Sequence, residues 1–307
     1  MTVDIVSLGE GMIEFNQVRP GAPEFLQGFG GDTSNAIIAA ARQGARTAYA
    51  TRVGADAFGD RLVALWRREN VATDAVLRDP QASTGVYFVT HGASGHAFSY
   101  LRAGSAASRM TPADLPAELI RGAKYLHVSG ISQAISTSAC DTVFAAIALA
   151  REAGVKVVFD SNLRLKLWPL DRARAIIRET IAHCDLFLPS LEDAELFTGL
   201  TDRGAIMDWC LAAGASQVVL KLGKEGAVFM TPQGRTHLPG HKVDAVDATG
   251  AGDCFAGSLL ARLVEGDEMA AAVTYANAAA ALTTTGFGAV APIPRPADVR
   301  AFLARAA

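Results

Sequence analysis

Tyr125-Leu-His-Val-Ser129 and Val155-Lys-Val-Val-Phe159 are two short, mostly apolar runs. Residues 138–153, which lie between them, have the composition and the apolar spacing of a helix. A strand, a helix and a second strand in this order form the unit of a parallel sheet, and runs that are apolar on both faces are typical of covered strands. This stretch therefore predicts a parallel sheet with a helix packed on it.

The same alternation continues towards the C-terminus. Further apolar runs at residues 186–188 and 218–222, with helical patterns at 171–183 and 203–213, give repeated strand–helix–strand units. This repetition predicts an α/β fold, a doubly wound and mostly parallel sheet with helices on both faces. Because the 307 residues contain no tandem repeat or long linker, we expect one domain spanning residues 1–307.

The chain before residue 105 has a different pattern. Residues 3–8 predict a core strand, and residues 34–43 predict a helix that Gly44 ends. Two β pieces, at about residues 12–30 and 84–103, mix Gly with alternating apolar residues, and the second contains a hairpin turn at 91–95. We interpret them as a small, discontinuous β-sheet lid. His91 and His96 flank that turn without a third ligand nearby, so a hairpin tip is favoured over a metal site.

Composition and charge argue against several classes of protein. The net charge is −3, from 28 basic and 31 acidic residues without a basic stripe, so we expect no nucleic-acid partner. The four cysteines form no CxxC pair, which indicates buried thiols in a reducing compartment. Residues 269–294 are uncharged but rich in alanine, which predicts a buried helix ending near Gly286 and no membrane span. Residues 1–9 lack a signal-peptide pattern, so a soluble, cytoplasmic protein is expected.

Glycine and polar residues collect directly after the predicted strands. In an open parallel sheet, ligands bind outside the carboxyl ends of the strands, so this pattern predicts a ligand cleft at that edge. The residues concerned are Gly9 and Glu10, Ser129 and Gly130, Asp160 to Asn162, Ser190, and Gly223. Strand-ending turns alone would account for some of them.

The segment with the clearest chemistry is Asp247-Ala-Thr-Gly-Ala-Gly-Asp253, a glycine-rich turn that opens into a helical pattern. The first amides of a helix lack intrahelical partners, and glycines let an oxyanion approach them closely. The helix dipole adds a partial positive charge, which suits a phosphoryl group in transfer. Asp253 at the helix start could accept the proton of an incoming hydroxyl. The alternative is that Asp253 is only a helix cap.

The competing phosphate-binding motifs are absent from the sequence. No GxxxxGK[ST] occurs, because Val218 stands where the first glycine is needed before Gly223-Lys224. No GxGxxG occurs either. A P-loop enzyme and a dinucleotide-dependent reductase therefore lose their main support.

Three motifs together resemble a known family. Asp247–Asp253 looks like the C-terminal signature of the ribokinase-like (PfkB) carbohydrate kinases, Phe29-Gly-Gly-Asp-Thr-Ser-Asn35 resembles their N-terminal Gly-Gly motif, and Arg52-Val-Gly-Ala-Asp-Ala-Phe-Gly59 their next landmark. The resemblance covers nearly the whole chain. It implies a doubly wound α/β core with a β lid, an ATP-dependent sugar kinase, and Mg²⁺ as cofactor.

The resemblance also implies roles for individual residues. Asp253 would be the catalytic base, and the amides of Gly250, Ala251 and Gly252 would form the anion hole. The implied nucleotide site consists of Asn162, Ser190, Lys221, Gly223, Lys224, Glu225, Gly226 and Asn277. For the glycines among them, plain turn positions are the alternative.

One position departs from the family pattern. Many members carry Asn-x-x-Glu after the strand that ends near Leu188, and this chain has Ser190-Leu-Glu-Asp193. Ser190 can still form a hydrogen bond, and Asp193 or Glu192 can hold a water of Mg²⁺. Which carboxylate takes that role stays open, and a solvated helix start is the alternative.

Two arginines point to an acidic sugar as the substrate. The guanidinium group of arginine can bind a carboxylate with two parallel hydrogen bonds. Arg102 and Arg164 lie in stretches similar to those of 2-keto-3-deoxygluconate kinases. That resemblance implies phosphorylation of the C6 hydroxyl. The implied substrate contacts are Gly31, Tyr87, Tyr100, Arg102, Arg164 and Asp247, together with Asp253. Surface salt bridges are the alternative for both arginines.

Several alternatives stay open at the level of sequence. The stretch from Asn162 to Trp168 is also similar to bacterial fructokinases, so a fructokinase or another sugar kinase is the second interpretation. A sugar- or nucleotide-binding protein without catalysis is the third. A homo-oligomer, such as a dimer through the lid, is expected, and K⁺ is a further candidate cofactor near Asp247 and residues 286–292.

Overall fold

The computed structural model describes residues 3–92, 95–231 and 233–306, so part of the hairpin turn predicted at 91–95 lies outside the described residues. The strands are β1 (Ile5–Leu8), β2 (Met12–Gln17), β3 (Phe25–Gly30), β4 (Thr47–Gly54), β5 (Val71–Ala72), β6 (Val76–Asp79), β7 (Val86–Gly92), β8 (Gly95–Leu101), β9 (Tyr125–Ser129), β10 (Lys156–Asp160), β11 (Leu186–Phe187), β12 (Gln217–Lys221), β13 (Gly226–Thr231) and β14 (Gly234–Pro239). The helices are α1 (Asp32–Arg42), α2 (Ala57–Arg68), α3 (Ala117–Arg121), α4 (Gly130–Ala134), α5 (Thr137–Glu152), α6 (Leu170–Ile181), α7 (Leu191–Thr198), α8 (Arg203–Ala212), α9 (Ala251–Glu265), α10 (Met269–Thr283) and α11 (Pro296–Ala306).

The large sheet has the order β14-β13-β12-β11-β10-β9-β1-β4-β5, and β6 also pairs with β4. Neighbours from β12 to β5 run parallel, whereas β13 and β14 form an antiparallel edge. The strand order reverses direction around β1 and β9, which is the point where open α/β sheets bind ligands. The predicted doubly wound, mostly parallel sheet is confirmed.

Side chains of the central strands alternate between two apolar clusters, one on each face of the sheet. In β1, Ile5 belongs to the first cluster and Val6 to the second, and in β10 Val158 and Val157 divide in the same way. Helices α1, α2, α9, α10 and α11 cover the first face, and α3, α5, α6, α7 and α8 cover the second. Each fully buried aliphatic side chain stabilises the fold by about 1.5–3 kcal/mol.

A second, small sheet stands apart from the large one and has the order β3-β2-β7-β8. Its strands come from the two predicted β pieces, and β7 and β8 pair as an antiparallel hairpin. At the end of that hairpin, His91 Nδ1 lies 2.7 Å from His96 Nδ1. No group of three metal-ligating side chains is found in the described parts of the chain.

Several features of the fold were not predicted from the sequence, among them β4 and the hairpin β13–β14. Strand β4 escaped notice because its buried positions include Thr47 and Thr51, and Thr51 Oγ1 donates a hydrogen bond of 2.6 Å to the Gly9 carbonyl. The edge hairpin β13–β14 was also missed, because most β14 side chains are exposed and polar. Polar residues at strand positions weaken the hydropathy pattern on which the prediction rests.

Helix α10 ends at Thr283, close to the predicted end near Gly286. Among the described residues, none of the helices combines the length and the apolarity that a membrane crossing requires. The four cysteines are free and buried, as predicted. Burial raises the pKa of the Cys254 thiol to about 11 and that of Cys210 to about 12.

Candidate active site

The start of α9 is shaped by Gly250, which has φ 77° and precedes the first helical residue. A Cβ at this position would lie 2.9 Å from the Ala289 carbonyl oxygen, so the turn requires glycine. The first helical hydrogen bond runs from the Cys254 amide to the Gly250 carbonyl, 2.8 Å. The amides of Gly252 and Asp253 precede that bond, whereas the Ala251 amide already donates to Ala248 at 3.2 Å. The helix start therefore leaves the amides of Gly252 and Asp253 without intrahelical partners.

Asp247 holds the loop that leads into this turn. Its Oδ1 accepts hydrogen bonds from the Thr249 amide, 2.9 Å, and hydroxyl, 2.6 Å, and its Oδ2 accepts one from the Gly288 amide, 2.9 Å. These bonds outweigh the opposing effect of burial and lower the pKa of Asp247. The carboxylate thus ties the glycine turn to the loop after α10.

Lys221 brings a positive charge to the same place. It is the last residue of β12, and its Nζ donates a hydrogen bond of 2.5 Å to Asp160 Oδ2 at the end of β10. A Cβ on Gly252 would lie 3.6 Å from this Nζ. An ammonium beside uncapped helix amides forms a site suited to an oxyanion.

Asp253 is the third residue of α9 and is partly buried. Its Oδ2 accepts a hydrogen bond of 2.8 Å from Asn35 Nδ2. Burial, followed by the negative charge of Asp32, raises the pKa of Asp253 to about 7, while the Asn35 hydrogen bond and Lys221 act in the opposite direction. A carboxylate with this pKa can take up a proton near neutral pH.

The contact between Asn35 and Asp253 depends on the close approach of α1 and α9. A Cβ on Gly257 would lie 2.0 Å from the Ala36 carbonyl oxygen, a distance that no side chain can occupy. The first turn of α1 is also fixed by Trp66 Nε1, which donates to Ser34 Oγ at 2.8 Å. Asn35 is therefore held against the start of α9 by packing on both sides.

Asp32 opens α1 at the same edge of the sheet. Its Oδ2 accepts a hydrogen bond of 3.0 Å from Asn162 Nδ2. Its Oδ1 is buried and has no hydrogen-bond partner among the described residues. Asn162 itself has φ 31°, a conformation that asparagine tolerates better than most residues. The buried oxygen without a partner indicates room for a ligand hydroxyl or a water.

The small sheet contributes aromatic and acidic side chains. Tyr87 donates a hydrogen bond of 2.5 Å to Glu14, and Tyr100 stacks on Tyr87 with ring centroids 5.8 Å apart. Burial, followed by the charge of Glu14, raises the pKa of Tyr87 well above its usual value. The charge of Asp253 makes a smaller contribution to the same shift.

Arg102 lies at the end of the small sheet but is not a free cation. It is 8% exposed, and it forms an ion pair with Glu10, which is 2% exposed. Arg102 Nε donates to Glu10 Oε2 at 2.8 Å, and Ser105 Oγ donates to Glu10 Oε1 at 2.5 Å. Gly31, with φ 107°, leaves room for the carbonyl of the same Glu10, which a Cβ would approach to 2.2 Å. This buried pair joins the end of β1 to the small sheet.

Arg164 and Asp193 lie beyond β10. Asp193 Oδ2 accepts hydrogen bonds from the Leu163 amide, 2.9 Å, and from Ser161 Oγ, 3.0 Å, and burial raises its pKa. Ser190 caps α7 by accepting a bond from the Asp193 amide. Arg164 is exposed, and its Nη1 donates a hydrogen bond of 2.9 Å to the Leu163 carbonyl. Asp193 thus holds the loop that carries Arg164.

Five of the eight predicted nucleotide residues form two groups, apart from Asn162, Ser190 and Lys221 described above. Gly226 and Asn277 meet at the end of β14, where Asn277 Nδ2 donates to the Leu238 carbonyl at 3.1 Å. A Cβ on Gly226 would lie 2.2 Å from the same carbonyl. Gly223, Lys224 and Glu225 form a turn after β12. In that turn, Glu225 pairs with Arg203 at 2.9 Å across an exposed surface.

A model of the pfkB family of carbohydrate kinases matches residues 3–296. The chain belongs to this family. The pfkB kinase is 34% identical to the 2-dehydro-3-deoxygluconokinase of Bacillus subtilis over 312 residues, which cover 99% of this chain and 96% of the relative. It is 33% identical to fructokinase-2 of Solanum habrochaites over 316 residues, covering 97% and 95%.

Solved structures agree with this membership. The fructokinase of Vibrio cholerae O395, in a form with bound fructose, ADP and calcium ion, matches the pfkB kinase with a TM-score of 0.89 at 30% identity. The match covers 99% of this chain and 100% of the fructokinase. The predicted ribokinase-like fold is thereby confirmed, and the chain is a carbohydrate kinase.

Sequence reasoning missed two acidic or amide side chains of the site in this pfkB kinase. Asp32 and Asn35 lie three residues apart, so they share one face at the start of α1. The Gly-Gly motif was recognised, but only Gly31 was assigned a role. The sequence did contain a usable signal: Asp32 and Asn35 are polar residues at helical spacing directly after the glycine pair.

Proposed function

We propose that this pfkB kinase transfers the γ-phosphate of ATP to the C6 hydroxyl of 2-keto-3-deoxygluconate and forms 2-keto-3-deoxy-6-phosphogluconate. The observation that carries the proposal is the placement of Asp253. Its carboxylate has a pKa of about 7 and lies directly beside the donors at the start of α9. A base and an anion hole in one turn of chain suit phosphoryl transfer.

In the proposed reaction, Asp253 accepts the proton of the C6 hydroxyl as its oxygen bonds to the γ-phosphorus. The bond from that phosphorus to the bridging oxygen of ADP breaks, and ADP leaves with the electron pair. We assign the anion hole to the amides of Gly250, Ala251 and Gly252, with Lys221 as a nearby positive charge. In this assignment the Ala251 amide exchanges its 3.2 Å bond to the Ala248 carbonyl for a bond to the phosphate. Electrostatic stabilisation of this kind supplies most of the catalysis in phosphoryl transfer.

Sugar binding is assigned to the cleft between the small sheet and the large one. Gly31, Tyr87, Tyr100 and Asp247 line our proposed site, and the tyrosines offer hydroxyl groups and flat faces to a sugar. The small sheet acts as the lid. Arg102 already donates hydrogen bonds from Nε and Nη2 to Glu10. We therefore assign the main ion pair with the substrate carboxylate to Arg164.

The nucleotide is assigned to the turn after β12 and to the end of β14. The residues proposed to contact it are Asn162, Ser190, Lys221, Gly223, Lys224, Glu225, Gly226 and Asn277. Mg²⁺ is commonly held by one or two carboxylates together with phosphates, and Asp193 has a carboxylate fixed in position that fits this role through a water. The ion would neutralise charge on the phosphates. A monovalent cation near Asp247 is tested by replacing K⁺ with a bulky ammonium ion.

Fructose is the second candidate substrate. The fructokinase-2 relative is nearly as similar to this chain as the 2-dehydro-3-deoxygluconokinase is. The ion pair of Arg102 with Glu10 also removes one of the two cations that favour an acidic sugar. Both substrates use the same base and the same anion hole, so the choice concerns only the sugar contacts.

A coupled ADP-release assay with 2-keto-3-deoxygluconate, fructose, ribose and gluconate side by side tests the proposal. We expect the highest kcat/KM for 2-keto-3-deoxygluconate. A preference for fructose would overturn the substrate assignment while leaving the kinase class intact. No ADP release with any sugar, together with measurable ATP binding, would favour a binding protein.

We also propose a dimer formed through the small sheet. Leu26 in β3 and Leu101 in β8 are each 67% exposed, Leu26 on the face that carries Tyr87 and Leu101 on the opposite face. Burial of such side chains between two copies would remove apolar surface from water. Size exclusion with light scattering tests this proposal, and a monomer at micromolar concentration would contradict it.

A further inference from the structure

Two carboxylates, Asp32 and Asp253, lie at the edge of the sheet where the proposed transfer takes place. They come from different helices, α1 and α9, which pack against each other through Gly257 and Ala36. The proposed reaction needs only one base, and Asp253 fills that role. Asp32 is a buried acid for which the mechanism so far has no use.

The contacts of Asp32 keep its carboxylate in a fixed position. Its Oδ2 accepts the hydrogen bond from Asn162 Nδ2, and its Oδ1 has no partner in the described part of the chain. Among the described residues, no lysine or arginine lies within ion-pair distance of it, in contrast to Asp160, which pairs with Lys221. Removing a buried carboxylate from water without a cation is unfavourable, so a purely structural role explains this arrangement poorly.

Asp32 lies three residues before Asn35 in the first turn of α1, and Asn35 donates a hydrogen bond of 2.8 Å to Asp253, so the Asp32 carboxylate lies close to that of Asp253. After burial, its charge is the largest cause of the raised pKa of Asp253. Among the described residues, Asp160 from β10, Lys221 from β12 and Tyr87 from the small sheet also interact with Asp253, and the buried His127 of β9 interacts with Asp32 and Asp160. Asp160 and Lys221 pair with each other at 2.5 Å and largely cancel, which leaves Asp32 as the uncompensated neighbour.

We propose that Asp32 is a positioning residue for the phosphoryl transfer. Held beside Asp253 by Asn162 and by the close packing of α1 on α9, its carboxylate makes the Asp253 carboxylate a better acceptor for the hydroxyl proton. The proton passes from the sugar hydroxyl to Asp253, and Asp32 exchanges no proton with the substrate. The inference rests on the proposed role of Asp253 and is independent of which sugar is bound.

The Asp32→Asn variant tests this inference, because it removes the charge and keeps the shape and an acceptor oxygen. We expect the acidic limb of the kcat/KM profile to move to lower pH by at least about half a unit, since the like charge is gone. The maximal rate should fall by about 3- to 10-fold, since the base is weaker. The ionisation of ATP contributes equally to the profiles of the wild type and the variant. A difference between their acidic limbs therefore arises from the protein.

Two further variants serve as controls. Asp32→Glu restores the charge and should return the limb towards its wild-type position. Asp60→Asn removes the same charge on the exposed surface of α2 and should leave the limb where it is. A limb that stays at the wild-type pH in Asp32→Asn would overturn the inference.

A measurement on the wild-type protein covers the case in which Asp32→Asn does not fold. With ¹³C-carboxyl-labelled aspartate, the Asp253 signal, assigned with Asp253→Asn, should titrate with a midpoint near pH 7. A midpoint near the ordinary aspartate value of about 4 would overturn the inference. Failure of the proposed function is recognised separately, since Asp253→Asn would then keep its activity.

Discussion

Asn35 and Asp253 are 218 residues apart in the sequence, and their side chains are joined by a hydrogen bond of 2.8 Å. The bond holds one oxygen of the proposed base and leaves the other oxygen of the carboxylate for the sugar. It also stabilises the charged form of Asp253, in opposition to burial and to Asp32. Asn35 and Asp32 therefore influence the same base with opposite sign.

Asn35→Ala should shift the pH profile in the direction opposite to that of Asp32→Asn. Without the amide donor, the pKa of Asp253 rises, and the acidic limb of kcat/KM moves from near pH 7 to higher pH. The rate should also fall by about 10-fold or more, because the carboxylate loses its orientation. Gln43→Ala removes a buried amide from the other end of α1 and should leave the limb unchanged. A limb that moves to lower pH in Asn35→Ala would contradict this account.

Gly257→Ala should separate α1 from α9. The new methyl group would lie 2.0 Å from the Ala36 carbonyl, so the helices must shift, at a cost of about 1–3 kcal/mol in the free energy of unfolding. The shift lengthens the contact between Asn35 and Asp253, so kcat should fall as well. Urea unfolding and initial rates measure the two effects. Gly92→Ala adds the same methyl group where the nearest atom is 4.0 Å away, and it should change neither quantity.

Asp253→Asn should bind ATP normally and lose at least about 100-fold in kcat, because it removes the base. Equilibrium nucleotide binding and the ADP-release assay separate the two properties. A variant that keeps wild-type turnover would show that Asp253 is only a helix cap.

The same Asp253→Asn variant should become relatively more stable as the pH rises. The pKa of Asp253 is about 7 in the folded protein and about 4 in an unfolded chain, so the folded state binds the extra proton between these values. The wild type therefore loses stability as the pH rises from about 4 to 7, and the asparagine variant does not. Urea unfolding should show a gain of about 1–4 kcal/mol for the variant at pH 8 and little difference at pH 4.5. Equal differences at both pH values would contradict the assignment.

The two arginines should respond differently to removal. Arg164 is exposed, so Arg164→Ala should leave stability nearly unchanged and weaken kcat/KM more for an acidic sugar than for fructose. Arg102→Ala strands the buried charge of Glu10 and should cost about 3–5 kcal/mol of stability. Glu10→Gln in the Arg102→Ala background should recover part of that stability. Equal losses on both sugars in Arg164→Ala would show that it does not bind a carboxylate.

The core of the fold was readable from the sequence because local pattern and environment agree. The runs at β9, β10 and β12 are apolar on both faces, and both faces are covered by helices. Strand β4 is the exception, because it buries two polar residues, Thr47 and Thr51, of which Thr51 donates a hydrogen bond to the Gly9 carbonyl. The prediction of strands failed where buried strand positions are occupied by polar residues.

The site was readable only where its parts are contiguous in the chain. Asp253 and its glycines form one short motif, whereas the partners of Asp253 and Arg102 lie 218 and 92 residues away. No local sequence pattern around Arg102 indicates Glu10 as its partner. The sequence therefore suggested that Arg102 binds a ligand and did not predict the ion pair with Glu10. Contacts of this kind are created by the topology of the sheet and become visible only in three dimensions.

The burial of all four thiols has a practical consequence. A thiolate is the form that reacts with maleimides, and burial keeps Cys140, Cys184, Cys210 and Cys254 protonated and shielded. The wild-type chain is thus a nearly silent background for site-directed labelling. A single cysteine introduced at Leu101 could carry a fluorophore without removing any native residue of the interior. The approach of the small sheet to the large one could then be followed in real time by spectroscopy during turnover.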